Sequence, residues 1–287
     1  MKILLLGHKG MLGSDLLLQL RRKHEVIGLD KEEIDITSMP ECEKAVNENA
    51  PDIVVNATGY TDVDGCENAQ RDCLGVNAEA VLNIAVACRR KNIRIVHFST
   101  DYVFDGSSSE PYKEDHSCNP LNVYGTSKLA GENYLRGLSD NYILIRTAWL
   151  YGKNGKNFVR TILDKAATTD KLEVVDDQIG SPTYTRDLAV AVDLLLERNL
   201  KGVFHITNRG SCSWFQFAQK ILQEGGISNV QVLPIKTDQL MRPAERPHYS
   251  VLSMQKFIAA TGKTMQPWQL ALQDYLHDMR YQASPKG

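Results

Sequence analysis

Tyr124 and Lys128 stand four residues apart in the run Tyr124-Gly125-Thr126-Ser127-Lys128, which puts both side chains on one face of a helix. A free phenol, with a pKa of ~10, is a poor proton donor at neutral pH. An ammonium beside its oxygen favours the phenolate, so a tuned pair can pass a proton to or from a carbinol oxygen. Upstream, Ser99 and Thr100 close an apolar run, where a hydroxyl can hydrogen-bond and orient a substrate oxygen. Ser-Thr at a strand end is also an ordinary turn or capping device, and Tyr and Lys at this spacing occur by chance in many helices. Their shared context decides: with Tyr124 on the next helix, Thr100 is the preferred catalytic hydroxyl, ahead of Ser99.

A second group of residues could hold phosphate. Gly7, Gly10 and Gly13, with His8, Met11 and Leu12 between them, follow an apolar strand and open a helix. Glycines there permit a tight turn and a close approach of backbone N–H groups to a pyrophosphate, which the helix N-terminus stabilises. The spacing is G-x-x-G-x-x-G rather than G-x-G-x-x-G, and its position directly after the strand makes it a dinucleotide loop. Asp30 ends the second strand at the distance expected of the acid that accepts from the adenosine ribose. Lys31 follows it, and its ammonium suits a 2′-phosphate, so the choice between NADH and NADPH stays open. Asp35 and Ile36 come next, in position to lie beside the adenine.

The elements that must position these residues alternate through the first half. Strands are predicted over 2–6, 25–29, 52–56, 93–99 and 142–146, and helices over 11–23, 40–49, 75–91 and 123–138. Continuous apolar strands separated by helices of this length imply a parallel sheet covered on both faces. After about residue 150 the alternation loosens into helices at 158–168, 185–198, 214–223 and 267–281, a strand at 203–206 and a Pro/Arg-rich loop at 241–250. The fold class is therefore α/β: a Rossmann-type doubly wound parallel sheet with a smaller C-terminal substrate-binding cap. Residues 1–150 form the dinucleotide domain, which also receives later segments, and 151–287 mainly the cap, sharing its cleft.

Composition narrows the function. With 287 residues, 33 Lys+Arg against 35 Asp+Glu, and 43% hydrophobic residues, the chain is neither disordered nor basic enough to mark nucleic acid or an anionic membrane as partner. No apolar run approaches the ~20 residues of a membrane span, and no signal-peptide core is present, so a cytoplasmic protein is expected. The six cysteines show no C-x-x-C spacing and read as buried thiols. No histidine pair has metal-ligand spacing.

The stretches GHKGMLG at 7–13, VVNATGYTDVDGCE at 54–67, FSTDYVFDG at 98–106, PLNVYGTSKLAGE at 120–132, RTAWLYG at 146–152, DDQIGSPTYTRDLA at 176–189 and RPHYSVL at 246–252 together resemble the extended short-chain dehydrogenase/reductases, in the branch acting on nucleotide-linked 4-keto sugars. The resemblance spans nearly the whole chain. It implies hydride transfer from NADPH or NADH to C4 of dTDP-4-dehydro-L-rhamnose, giving dTDP-L-rhamnose, with Tyr124 as proton donor to O4, Lys128 as its partner and nicotinamide-ribose ligand, and Thr100 as assisting hydroxyl. It implies that Asn56, Ala57, Thr58, Gly59 and Tyr60 pass under the cofactor, beside Ser99. Asp101, Tyr102 and Trp149 would line the sugar pocket. Arg246, within RPHYS, would meet the diphosphate, and Arg242 either joins it or is a solvated loop residue. Gln178 and Pro182 would organise the cap.

Two departures matter. Related dehydratases carry Glu where this chain has Tyr102, which argues against dehydration. Some relatives bridge subunits through Mg²⁺ on first-helix glutamates, whereas this helix begins Gly13-Ser14-Asp15, so Asp15 reads as a first-turn acid and metal dependence loses its support. A monomer or homodimer is expected. The competing readings are a reductase of another nucleotide-linked 4-keto-deoxyhexose and a non-catalytic dinucleotide-binding regulatory subunit; intact Thr100, Tyr124 and Lys128 weigh against the latter.

Overall fold

The computed structural model describes residues 1–283, the last four by backbone alone. The first half runs β1 (Lys2–Leu6), α1 (Met11–Leu20), β2 (Glu25–Leu29), α2 (Met39–Asn49), β3 (Ile53–Asn56), α3 (Val63–Asn68), α4 (Gln70–Leu74), α5 (Ala80–Arg89), β4 (Arg94–Thr100), α6 (Val123–Leu138) and β5 (Tyr142–Thr147). Then come β6 (Leu150–Tyr151), α7 (Phe158–Ala166), β7 (Lys171–Val175), β8 (Ile179–Gly180), β9 (Thr183–Tyr184), α8 (Thr185–Glu197), β10 (Gly202–His205), β11 (Cys212–Ser213), α9 (Trp214–Gly225), β12 (Gln231–Ile235), α10 (Gln255–Thr261) and α11 (Trp268–Ala283).

Six strands form one parallel sheet in the order β10-β5-β4-β3-β1-β2. Alternation along each strand feeds two cores, which is why the strands read as continuous apolar runs. Ile3 and Leu5 of β1 pack with Leu12 and Leu16 of α1 and Leu188, Val192 and Leu195 of α8. Leu4 and Leu6 face the other way, onto Cys42 and Val46 of α2, Ile84 of α5 and Leu135 of α6. A third core lies among the later elements, where Val159, Ile162, Phe217, Ile221, Leu272 and Tyr275 from α7, α9 and α11 close over the parallel pair β7/β12.

The sequence-predicted helix at 75–91 is not uniform. Residues 75–79 form a π-turn before α5 begins, and α3 and α4 precede it, which periodicity did not reveal. Such a turn carries one extra residue per hydrogen-bonded ring and re-aims its side chains. Here it aims Asn77 at the loop after β3, where its amide donates to the Tyr60 carbonyl and accepts from the Tyr60 N–H. Asp15 is also not a first-turn acid. It lies beyond the first turn of α1, is buried, and accepts from the Thr185 hydroxyl at the start of α8, so tertiary packing rather than the helix dipole places it.

Candidate active site

Strand order reverses between β1 and β3, and the loops leaving their carboxyl ends meet there, as ligand sites of open parallel sheets require. Gly7 has φ +80°, a left-handed conformation, and a Cβ on it would stand 3.1 Å from the Ala57 carbonyl group. A Cβ on Gly13 would collide with the Gly7 carbonyl, so the loop closes only with glycine at both places. Gly10 caps α1 with no side-chain hydrogen bond, which leaves the helix N-terminus through Met11, Leu12 and Gly13 for an anion. His8 does not reach into the loop's concave side; its ring packs at Gly28 on β2.

Asp30 accepts from the Lys9 N–H at 2.8 Å and the Lys31 N–H at 2.9 Å. Against the effect of burial, these bonds hold its carboxyl below the usual carboxylate range. The acid thus braces the glycine loop as well as marking the strand end. Lys31 is exposed, as is Asp35, whose carboxylate accepts from the Thr37 N–H and hydroxyl. The Ile36 carbonyl accepts from Asn83 at 3.2 Å. Thr58 N–H donates to Asn56, so that side chain shapes the turn through Ala57 to Gly59.

Ser99, Thr100 and Asp101, at the end of β4, are all buried. Thr100 donates to the Asp101 carboxylate at 3.0 Å, and it lies close enough to Tyr124 to pull that phenol's pKa down. Burial pushes the Asp101 carboxyl up to about 6. Ser99 Oγ is buried without a hydrogen-bond partner among the described residues. Lys128 is also buried; its ammonium donates to the Phe98 carbonyl at 2.6 Å, and burial lowers it to about 8. The anticipated lowering of the Tyr124 phenol does not follow: burial pushes it up, and only the Thr100 contact pulls it back. The reason is enclosure, since the loss of water around the phenolate outweighs the pull of the Thr100 hydroxyl.

Around this trio lie residues that sequence reasoning assigned roles and others it did not. Tyr102 stands edge-on to Tyr124, ring centroids 5.9 Å apart, and the Arg246 guanidinium lies close enough to pull its phenol down. Arg246 and Arg242 both donate to Asp64 of α3, at 2.9 and 2.8 Å, Arg246 largely covered and Arg242 exposed. Asp64 received no role from the sequence, although it lies within the VDGCE run. Trp149 has φ +49° and stacks on Trp214 at 3.4 Å, with Gly180 against its edge. Trp214 carried no signal beyond its place at a helix start. Asn77 bonds Ser127 at 3.0 Å as well as Tyr60, tying the β3 loop to α6. Gln178 donates to Thr237 at 3.1 Å within the later elements, apart from the trio.

The described residues contain no group of three His, Cys, Asp or Glu side chains able to hold a metal ion, and no helix long and apolar enough to cross a membrane. Five of the six thiols are buried. A concavity of about 740 Å³ is lined by Lys113, Glu114 and Lys256 and contains none of the expected site residues. A smaller one of about 250 Å³ is lined by Gln178, Arg242, Glu245 and Arg246.

The chain matches the RmlD substrate-binding domain family over residues 1–281. The spore coat polysaccharide biosynthesis protein SpsK of Bacillus subtilis (strain 168) is 40% identical over 278 residues, covering 96% of this chain and 97% of that protein. The dTDP-4-dehydrorhamnose reductase of Streptomyces griseus is 40% identical over 276 residues, 94% of this chain and 91% of its own length. The crystal structure of dTDP-4-dehydrorhamnose reductase from Bacillus anthracis str. Ames in complex with NADP superposes with a TM-score of 0.94 at 37% identity, over 96% of this chain and 99% of that one.

Proposed function

This chain belongs to the RmlD substrate-binding domain family, and on that premise we propose that it is an NAD(P)H-dependent reductase of the C4 keto group of dTDP-4-dehydro-L-rhamnose, with dTDP-L-rhamnose as product. The observation that carries the reading is the buried Lys128 ammonium reaching the Phe98 carbonyl of β4 from the helix α6 that also carries Tyr124, next to the buried Thr100 at the carboxyl end of that strand. The residues present fit a dinucleotide. The glycine-only turn, the uncapped start of α1 and the unpartnered Ser99 Oγ form a cradle for it. Gly7, Gly10 and the N–H groups from Met11 to Gly13 would hold its pyrophosphate. Asp30 and Lys31 would face the adenosine ribose, and Ala57 to Tyr60 would pass beneath the nicotinamide half. When bound, the reduced nicotinamide supplies the hydride.

The protein's part is the proton and the orientation. Tyr124 gives its phenolic proton to O4 as the carbonyl becomes a carbinol, and Thr100 hydrogen-bonds that same oxygen and fixes its direction. A phenol raised by burial holds its proton firmly at neutral pH, which suits a donor that must arrive protonated. The Lys128 ammonium, on the same face of α6 as Tyr124 and held by the Phe98 carbonyl of β4, would stabilise the phenolate left behind. Asp101 and Tyr102 close the sugar side, and Tyr102 in place of a glutamate leaves no base for C5, so the reaction stops at reduction. Trp149 offers an aromatic wall.

The test is direct. Purified protein with NADPH or NADH and dTDP-4-dehydro-L-rhamnose should oxidise the cofactor, and NMR of the product should show dTDP-L-rhamnose. No oxidation above background with either cofactor would reject the reading, and a different 4-hydroxy sugar would replace the substrate while keeping the chemistry.

A further inference from the structure

The loop over residues 241–250 is built around a carboxylate from another part of the chain. Asp64 Oδ1 accepts from Arg246 Nη1 at 2.9 Å and from the Ala244 N–H at 3.3 Å, and its Oδ2 accepts from Arg242 Nη1 at 2.8 Å. The loop is held at two further points: Asn122 Nδ2, at the start of α6, donates to the Glu245 carbonyl at 2.6 Å, and Ile179 N–H donates to the His248 carbonyl at 2.7 Å. The Arg246 side chain is 14% exposed, that of Arg242 51%. Both guanidiniums engage Asp64 through Nη1, and a guanidinium has five N–H donors in a rigid fork, so each keeps an edge for a second anion. The Asp64 carboxylate lies between the two guanidiniums and offsets part of their mutual repulsion.

We propose that Asp64 is a positioning residue for substrate: it presents Arg242 and Arg246 as a paired guanidinium site for the diphosphate of the nucleotide sugar. The inference rests on the nucleotide-sugar reading above and names the part of the chain that grips the phosphates. Geometry supports the distance. The Arg246 guanidinium lies close enough to Tyr102 to lower its phenol, and the Tyr102 ring stands edge-on to Tyr124 with centroids 5.9 Å apart. One aromatic ring spans about what a pyranose spans from C4 to C1, and the diphosphate is attached at C1. The cavity of about 250 Å³ beside both arginines leaves room for the rest of the ligand.

The experiment is calorimetric titration of the full-length protein with dTDP and, separately, with thymidine, for the wild type, Asp64→Asn, Asp64→Glu and Arg246→Gln. Lost orientation of two charge-assisted donors should weaken dTDP binding of Asp64→Asn about tenfold or more. Thymidine binding and NADPH binding should stay within about twofold, and the thermal midpoint should confirm folding. Asp64→Glu keeps the carboxylate and should recover part of the loss. In steady state the same variant should raise KM with little change in kcat, since the interaction is the same in ground and transition states. Equal losses for dTDP and thymidine would show a general structural role and overturn the proposal. Tighter dTDP binding by Asp64→Asn would also overturn it, because Asp64 would then compete with the diphosphate. A wild type that binds NADPH but no dTDP would reject the nucleotide-sugar reading itself, and this inference with it.

Discussion

Tyr124 feels burial and the Thr100 hydroxyl as opposing influences, and burial dominates. Tyr124→Phe removes only the phenolic hydroxyl, so turnover should fall by roughly 10²–10⁴, the range of one general acid, while NADPH affinity by fluorescence titration stays within a few-fold. Unchanged turnover would sink the donor role. Lys128 titrates near 8 because burial lowers it, so its ammonium is present below that pH and lost above it. An alkaline decline in kcat/KM centred near pH 8 is expected. Asp101 shifts the other way, from 3.8 to about 6 through burial. The folded state therefore binds the extra proton in that window, and its stabilising contribution is lost as pH rises through about 6. Asp101→Asn should escape this loss. Its stability relative to wild type should rise by roughly 3 kcal/mol between about pH 4 and pH 7, measured by urea unfolding; parallel profiles would contradict it. The spacing of Tyr124 and Lys128 was readable in the sequence. The directions of these shifts were not, because they depend on enclosure and on the Phe98 carbonyl that Lys128 reaches across 30 positions.

At the scale of elements, α6 must hold its register against β4 and β5 for Tyr124 to face Thr100 and for Lys128 to reach the Phe98 carbonyl. One helical turn beyond Lys128, Glu132 receives Arg146 of β5 through two hydrogen bonds, 2.9 and 2.7 Å, with both side chains essentially sealed from water. Arg146 also lies over the Phe104 ring, 5.1 Å from its centre. Arg146→Met leaves a buried carboxylate uncompensated and should cost about 3–5 kcal/mol in denaturant unfolding. The double change Glu132→Leu/Arg146→Met should recover most of that loss, since an apolar pair removes the unpaired charge. A small effect of the single variant would mean the pair holds nothing. The bounds of α6, 123–138, could be read in advance from the sequence, whereas the Asn122 side chain that caps it was not. The ion pair could not be, because its members belong to different elements. Likewise the π-turn at 75–79 has no compositional mark; it answers to Asn77's partners at Tyr60 and Ser127.

At the scale of the molecule, the chain does not divide at residue 150 into independent halves. β10 adds to the sheet beside β5, and α8 supplies much of the cover on one face, with Leu188, Val192 and Leu195 packed among the side chains of β1 and α1. A fragment ending at residue 150 should thus expose that face and show no cooperative thermal transition by circular dichroism, while the full chain unfolds cooperatively. A folded fragment would show that the first half needs no later segment. The near-zero net charge is compatible with the proposed binding, in which a helix start and locally positioned guanidiniums would meet the phosphates without a basic surface.

What the sequence determined by itself is whatever depends on neighbours along the chain: apolar strands buried on both faces, the glycine turn that opens α1, and the i to i+4 placement of Tyr124 and Lys128. What only the tertiary structure decided depends on closure of long loops. Arg246 finds Asp64 across 182 positions, Thr185 finds Asp15 across 170, and Trp149 is held in a left-handed conformation by Trp214. The physical reason is that periodicity records which face of an element is buried, whereas the partner of a buried charge or ring is chosen by packing after the elements have met.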